Sequence, residues 1–413
     1  MKPLALSLAG LLALAAPSAA RTAPASCERG ICGGRSLASF LNLLQTADTR
    51  PVHILQIGDS HTANDNFAGA WRDILQARYG NGGRGVLPPG KPWAGYTMRQ
   101  VTVTQGPGWS EFSALQARKQ GQSDLVFGAA DFRLTAPAGG GALSLTADPG
   151  FSFRRFVVCA VTGPQAGSLT LSMGGQSTTI PLQAARPGAA CPSVSSDDDQ
   201  GAASVTTSGQ ATLLSWAVFT DRPGVMVSNL GLPSARLTDM ILGGDELSKV
   251  EIEAYKPDLI VIAYGTNEGF EPNFSAADYE ATLRSQIARV RAIAPGVPIL
   301  LLGAPDAQSR LPGLRANGAR APAAHPARDG WFSPPALQDV RAIQRRVAES
   351  EHVALWDWAS RMGGVGAAAA WASATPAMMQ PDHVHYTVAG GRRLAERLQS
   401  DLDTLCQTVC RKD

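Results

Sequence analysis

Residues 52–61 of the chain read VHILQIGDSH, and this stretch decides how the rest of the sequence is interpreted. Its first six residues predict a short apolar strand, which Gly58 and Asp59 end. Apolar residues then recur at helical spacing from Phe67 to Leu75, and Gly80 ends the predicted helix. A strand that leads directly into an amphipathic helix is the building unit of a parallel α/β sheet.

The same alternation returns in the C-terminal half of the chain. Leu259–Tyr264 is an unbroken apolar run, as expected for a central strand that is buried on both faces. The segments after it predict a helix capped by Ser275, a strand at Ile299–Leu302, a helix at about 335–349, a strand at Val353–Trp356 and a last helix from Val388 to Leu405. The alternation predicts a parallel sheet with helices on both faces.

Residues 96–228 have a different composition, rich in Gly, Ser, Thr, Ala and Pro. Short alternating runs such as Ser168–Ser172 are separated by turn signals at strand-like spacing, which is typical of an antiparallel sandwich. We therefore expect an all-β domain at 96–228, inserted into an α/β domain formed by 51–95 and 229–413. Residues 21–50 are expected to form an N-terminal segment.

Residues 1–20 have the pattern of a secretory signal peptide. Lys2 precedes an apolar run from Leu4 to Ala16, and small residues follow it. The alternative is a membrane anchor, which normally needs about 20 apolar residues, more than this run contains. No later stretch is long and apolar enough to span a bilayer, so the sequence predicts a periplasmic or secreted protein without an integral membrane segment after cleavage.

The six cysteines agree with export, because they form three near pairs along the chain: Cys27 with Cys32, Cys159 with Cys191, and Cys406 with Cys410. In an oxidising compartment this pattern predicts three local disulfides, although spacing alone does not determine connectivity. A formal charge of +2 without a basic stripe provides no basis for nucleic-acid binding.

The residues with the clearest chemistry are Ser60 and His385. Ser60 directly follows the first strand, and ligands bind at the carboxyl ends of strands in parallel sheets. A serine hydroxyl needs a base to become a nucleophile. His385 can supply that base, with Asp382, three residues earlier, orienting its ring.

One further residue, Asn267, completes the expected site. Asn267 follows the central strand, where its amide can donate to a developing oxyanion.

An alternative interpretation makes Asp382, His383 and His385 metal ligands, but it leaves Ser60 and Asn267 without a role. We expect neither a metal nor an organic cofactor. Trp93, Trp109 and Trp216 are either sugar-stacking residues or packing residues.

These blocks, taken together and in this order, resemble the SGNH (GDSL-type) hydrolase family: Gly58-Asp59-Ser60, Asn229-Leu230-Gly231, Gly265-Thr266-Asn267 and Asp382 to His385. The extended forms Gly58 to Ala63 and Tyr264 to Glu268 further resemble periplasmic peptidoglycan O-acetylesterases. His61 fits that branch, whereas leucine is commoner in the family as a whole.

The resemblance implies a flavodoxin-like three-layer α/β/α hydrolase with an inserted jelly-roll domain similar to a carbohydrate-binding module. It implies that Ser60 attacks an acetyl carbonyl, that His385 is the base and that Asp382 orients it. The oxyanion would be held by the Ser60 backbone N–H, an N–H from the second block and Asn267. Ser234 falls at the second-block position where the family usually has glycine.

The sequence thus predicts an exported serine esterase that removes O-acetyl or other short acyl groups from peptidoglycan or another envelope polysaccharide. Two alternatives stay open. The same triad can transfer acetyl groups onto a polysaccharide, since the acyl-enzyme is common to both reactions. The chain can also be a non-catalytic glycan-binding protein in which the β insertion binds.

Overall fold

The architecture is that of a computed structural model, which describes residues 27–28, 30–96, 98–122, 126–242, 246–310 and 330–410. The expected signal peptide lies outside these ranges. The strands are β1 (Cys27–Glu28), β2 (Ile31–Cys32), β3 (Pro51–Gly58), β4 (Gly85–Leu87), β5 (Val101–Gln105), β6 (Ser110–Ser113), β7 (Phe132–Thr135), β8 (Ala142–Ala147), β9 (Phe153–Thr162), β10 (Ser168–Met173), β11 (Gln176–Pro181), β12 (Gly188–Ala190), β13 (Ser193–Gln200), β14 (Ala202–Ser208), β15 (Thr212–Phe219), β16 (Gly224–Gly231), β17 (Leu259–Ala263), β18 (Ile299–Leu302), β19 (Ser309–Arg310), β20 (Trp331–Phe332) and β21 (Ala354–Trp356).

The α-helices lie in both halves of the chain, and in the C-terminal half they alternate with the strands, as the sequence predicts. They are α1 (Ala38–Gln45), α2 (Ser60–Ala63), α3 (Asn66–Tyr79), α4 (Ala114–Lys119), α5 (Glu246–Tyr255), α6 (Thr266–Gly269), α7 (Ala276–Ile293), α8 (Pro335–Ser350), α9 (Trp358–Met362), α10 (Ala367–Ala372) and α11 (Val388–Val409). Ser275 caps α7 by accepting from the Asp278 N–H, which confirms the expected start of that helix.

Five parallel strands form the centre of the α/β part, in the spatial order β16-β3-β17-β18-β21. The short strands β1 and β2 extend this sheet in antiparallel fashion at the β21 edge. Numbered along the chain, the five parallel strands have the order 2-1-3-4-5 of flavodoxin-like folds. The α/β class is confirmed, and the sheet order agrees with the flavodoxin-like arrangement that the resemblance implies.

Helices cover both faces of this sheet because successive strand side chains point to opposite sides. On one face, Ile54 belongs to an apolar cluster with Trp71 of α3 and Leu394 of α11. On the other face, Leu55 belongs to a second cluster with Leu283 of α7. The sheet is therefore buried on both sides, which accounts for its nearly continuous apolar strands.

The chain between β3 and β16 forms two antiparallel sheets, as its composition predicts. One has the order β11-β10-β14-β8-β5, and the other β12-β9-β15-β7-β6, with β13 paired to β9 and β4 to β15. Two details differ from the expected division. β4 lies before residue 96 yet pairs with β15, whereas β16 begins at Gly224, before residue 229, and pairs with β3. The short helix α4, which begins at a capping box of Ser113 and Gln116, was not predicted.

All three expected disulfides are present, joining Cys27 to Cys32, Cys159 to Cys191, and Cys406 to Cys410. The second bridge lies in the antiparallel part of the chain, where Cys159 belongs to β9. Within the described ranges, none of the helices has both the length and the apolar character needed to cross a bilayer.

Candidate active site

The candidate site lies at the carboxyl ends of two adjacent parallel strands. Ser60 follows β3, and Asn267 follows β17, the strand beside it in the sheet. The chain leaves β3 for β16 on one side and later returns to β17 on the other, so the strand order reverses between these two neighbours. Ligands of open α/β sheets bind at such a switch point.

The structure brings Ser60, His385 and Asp382 into one hydrogen-bonded chain. The Nε2 atom of His385 lies 2.9 Å from the Oγ atom of Ser60. On the other side of the ring, Nδ1 lies 2.6 Å from a carboxylate oxygen of Asp382. In the tautomer with hydrogen on Nδ1, His385 donates to Asp382 and accepts from the Ser60 hydroxyl, which is the arrangement that serine activation needs.

Local backbone geometry holds Asp382 in place. Its carboxylate accepts from the backbone N–H groups of Val384 and His385 at 2.9 and 3.0 Å. Partial burial alone would raise the pKa of Asp382, but the hydrogen bonds from the His385 ring and from these two N–H groups outweigh it and lower the pKa below its ordinary value. Asp382 is therefore ionised at neutral pH, and its side chain is 48% exposed.

A tight fit between the first two sequence blocks fixes the position of Ser60. Gly231, at the end of β16, lies so close to α2 that a Cβ atom there would come within 2.2 Å of the Ala63 nitrogen. The neighbouring Asn229 donates to the Thr62 carbonyl at 3.1 Å. These contacts explain why glycine and asparagine occur in this block, since the backbone turn that carries Ser60 packs directly against it.

The expected oxyanion donors come from segments that are hydrogen-bonded to each other. The Asn267 amide donates one hydrogen to the Ala235 carbonyl at 2.8 Å, which links the third block to the second. Among the described residues, no acceptor pairs with the backbone N–H of Ser60 or of Ser234. Both N–H groups therefore remain able to donate to a ligand.

Ser234 has a left-handed backbone conformation, with φ of 63°. Glycine adopts this conformation without steric cost, whereas a residue with a Cβ atom is strained in it. The preference for glycine that the resemblance implies at this position thus has a backbone cause. The Ser234 side chain is exposed.

A pocket of about 370 Å³ opens beside Ser60 and His385. Asn64, Asn66, Trp93, Pro233 and Gln380 contribute to its wall, and neither Ser234 nor Asn267 lines it. Of the three tryptophans considered for sugar stacking, Trp93 alone reaches this pocket. Trp109 and Trp216 are buried, with exposures of 8% and 0%, so the packing interpretation holds for them.

His383 does not join the hydrogen-bonded chain. Its ring stacks on Trp331 at a centroid distance of 3.7 Å, and its Nδ1 atom lies 2.9 Å from the Gln308 side-chain oxygen. Both rings line a second cavity of about 870 Å³. Within the described ranges, no group of three or more His, Cys, Asp or Glu residues is arranged to hold a metal ion.

Comparison with known proteins adds independent information. The sequence model of the GDSL-like Lipase/Acylhydrolase family matches residues 198–393. The chain contains a GDSL-like lipase/acylhydrolase domain. The match over residues 198–393 supports a carboxylic ester hydrolase. No curated protein sequence was found to match the chain.

Solved structures resemble this chain to different degrees, and the first one described here shares its overall fold. One, described as "Peptidoglycan O-acetylesterase in action, 5 min", has a TM-score of 0.71 at 24% identity and covers 92% of this chain and 99% of its own. A family two carbohydrate esterase from Clostridium thermocellum has a TM-score of 0.28 at 12% identity and covers 66% of this chain and 94% of its own. The salicylyl-acyltransferase SsfX3 from a tetracycline biosynthetic pathway has a TM-score of 0.33 at 14% identity, with coverages of 79% and 98%.

The matched range begins after Ser60, because the antiparallel sheets separate β3 from the other strands of the parallel sheet along the chain. The match contains Ser234, Asn267, Asp382 and His385. Ser60 lies outside the matched range, and the fold places it at the site because β3 lies between β16 and β17 in the sheet.

His61 is a residue at the site whose contacts were not foreseen. Its side chain is 1% exposed, and its ring lies between Asp59 and the backbone of Val384. The motif that contains Ser60 also contains this histidine, but the sequence does not reveal that the carbonyl oxygen of Val384 lies opposite it.

Proposed function

We propose that this protein is an exported esterase that hydrolyses O-acetyl or other short acyl esters on peptidoglycan or another envelope polysaccharide. The hydrogen-bonded chain from Ser60 through His385 to Asp382 carries this proposal, because it provides nucleophile, base and orienting carboxylate in contact. The solved peptidoglycan O-acetylesterase with the same fold supports the choice of polymer.

In the first half of the proposed reaction, Ser60 Oγ forms a bond to the acyl carbon while its proton moves to His385 Nε2. The negative charge on the carbonyl oxygen is stabilised by the N–H groups of Ser60 and Ser234 and by the Asn267 amide. The ester bond then breaks, and His385 returns the proton to the departing sugar oxygen. An acyl-serine remains.

In the second half, water attacks the acyl carbon while His385 Nε2 accepts a proton from it. The bond to Ser60 Oγ breaks, His385 protonates that oxygen, and the carboxylic acid leaves. Asp382 stays ionised throughout and stabilises the imidazolium that forms twice in the cycle. The ester and one water molecule are the only reactants that these steps require.

The pocket and the antiparallel sheets fit a polymeric substrate. Trp93 is partly buried at the pocket wall and presents an aromatic surface beside Ser60, as sugar-binding sites often do. We assign residues 96–228 to an inserted jelly-roll module similar to carbohydrate-binding modules, and residues 51–95 with 229–413 to the hydrolase domain. The N-terminal residues 1–20 and the three disulfides support a periplasmic or secreted location.

The test is acetate release from O-acetylated peptidoglycan and from acetylated xylan, with the protein lacking residues 1–20 compared with its Ser60→Ala variant. Ser208→Ala is the matched control, because Ser208 is an exposed serine at the end of β14. Release that requires Ser60 and not Ser208 supports the esterase, and the preferred polymer identifies the substrate class. Acetyl groups that appear on added glycan would indicate the transferase, and glycan binding without any release would indicate the binding protein.

A further inference from the structure

His61 lies between two hydrogen-bond acceptors. Its Nδ1 atom is 3.1 Å from a carboxylate oxygen of Asp59, and its Nε2 atom is 2.8 Å from the Val384 carbonyl oxygen. The Thr266 hydroxyl also approaches Nδ1, but at 3.5 Å it is at the outer limit of a hydrogen bond. Asp59 is fixed in position because the same carboxylate oxygen accepts from the His61 backbone N–H at 2.9 Å.

A neutral imidazole carries one N–H donor and one acceptor nitrogen. It can therefore satisfy either the Asp59 carboxylate or the Val384 carbonyl, and its unprotonated nitrogen then faces the other acceptor. An imidazolium donates to both. Asp59 and His61 are each 1% exposed, so an unpaired charge or lone pair at this position is costly.

The charged groups around the ring favour the cation. Burial alone lowers the pKa of His61, but the charge and hydrogen bond of Asp59, the Val384 carbonyl and the more distant charge of Asp382 outweigh it, and the pKa is raised. His385 stacks on the same ring at a centroid distance of 5.6 Å, and Tyr386 packs against it at 5.0 Å. From the third block, the buried Glu268 carboxyl interacts with Asp59, and burial raises its pKa to about 7.

The two acceptors belong to the two segments that must meet for catalysis. Asp59 immediately precedes Ser60, and Val384 immediately precedes His385. We propose that His61 is held as an imidazolium and is the positioning residue that fixes the separation between the Ser60 hydroxyl and the His385 ring. This role rests on the proposed function, because it concerns the geometry of the same nucleophile and base.

Substitutions separate positioning from simple packing. His61→Gln places an amide donor where Nε2 was and keeps the bond to Val384, whereas His61→Leu fills the space without a donor. We expect His61→Leu to lower kcat by about 10- to 100-fold with little change in KM, as a misplaced base does. His61→Gln should restore most of that loss. A packing role predicts equal activities for the two variants, and that result would overturn the proposal.

The pH profile provides a second readout. Above the pKa of His61 the ring loses one of its two donors, so activity of the parent protein should fall on the alkaline side. His61→Gln has no proton to lose, and its profile should lack this fall. Identical alkaline limbs in both proteins would contradict the proposed charge.

The protonation state can be measured without any substrate. ¹⁵N spectra of the full folded chain, labelled in its histidine rings, should show both His61 nitrogens still protonated when the pH is raised above the ordinary imidazole pKa of about 6.5. The signal is assigned by its loss in His61→Gln. A neutral ring with one unprotonated nitrogen would refute the inference even if the esterase is confirmed. Absence of esterase activity with an imidazolium signal would refute the proposed function instead.

Discussion

The Nε2 atom of His385 lies 2.9 Å from the Oγ atom of Ser60, although 325 residues separate the two in the chain. The parallel sheet accounts for this proximity. Ser60 follows β3 at the carboxyl edge of the sheet, and the loop before α11, which contains His385, lies at the same edge. Thr387 caps α11 by accepting from the Gly390 N–H and so fixes where that loop ends. The His385 ring is thus positioned by helix capping and by the turn around Asp382.

Removing the base or its orienting carboxylate should have unequal effects. We expect His385→Ala to lower kcat by about 10⁴-fold or more, and Asp382→Asn to lower it by a smaller factor of about 10²–10⁴, because the aspartate acts only through the histidine. Acetate release measured at saturating substrate tests both. Near-normal turnover in either variant would show that the substituted residue has no part in the mechanism. Unchanged thermal unfolding is the control for folding.

Relief of backbone strain should make Ser234→Gly more stable than the parent protein. Left-handed φ costs a serine about 1–2 kcal/mol, and the added flexibility of glycine in the unfolded chain offsets about 0.5–1 kcal/mol of this. The free energy of unfolding in denaturant should therefore rise by up to about 1.5 kcal/mol, with activity retained. Ser208→Gly, in an exposed strand position, is the control and should be destabilising. A large loss of activity in Ser234→Gly would show that its hydroxyl has a role.

Glu268 should make the protein less stable as pH rises from about 4.5 to about 7. Burial raises the pKa of this carboxyl to about 7, and one of its two oxygens has no hydrogen-bond partner among the described residues. A raised pKa means that its contribution to stability is complete below the ordinary glutamate value of about 4.5 and is lost as pH rises through about 7. Unfolding measured from acid to neutral pH should show this loss in the parent protein and a smaller one in Glu268→Gln. Parallel stability curves would contradict it.

Trp93 should contribute to the binding of a polymeric substrate but not of a small ester. Its ring lines the pocket beside Ser60, so Trp93→Ala removes an aromatic surface without touching nucleophile or base. We expect the KM for acetylated polysaccharide to rise about five- to tenfold, which corresponds to about 1 kcal/mol of stacking. Hydrolysis of a small acetyl ester by the same variant is the internal control. Equal losses on both substrates would mean that Trp93 supports the site itself.

The α/β part could be predicted from the sequence because its signals are local. The strand at residues 52–57, the Ser275 cap and the apolar face of the last helix each depend on residues close together in the chain. Ser60, Asp382 and His385 were foreseen as one unit because serine activation requires that combination of side chains. The structure brings them into contact.

The features that were not predicted depend on long-range backbone contacts. His61 makes its second hydrogen bond to a carbonyl 323 residues away, and no side chain marks that acceptor in the sequence. β4 pairs with β15 although composition assigned it to the other part of the chain. Trp93 and Trp216 are also indistinguishable by residue type, and burial alone shows that one lines the pocket and the other lies in the core.

Labelling with a fluorophosphonate, followed by peptide mass spectrometry, tests the central claim most directly, because this reagent captures a serine that a neighbouring base activates. One adduct per chain is predicted, on Ser60. Ser60→Ala should abolish it and His385→Ala should slow its formation strongly, while Ser208→Ala should leave it unchanged. An adduct on another serine, or acetate release that persists while Ser60 stays unlabelled, would contradict the assignment of Ser60 as the nucleophile.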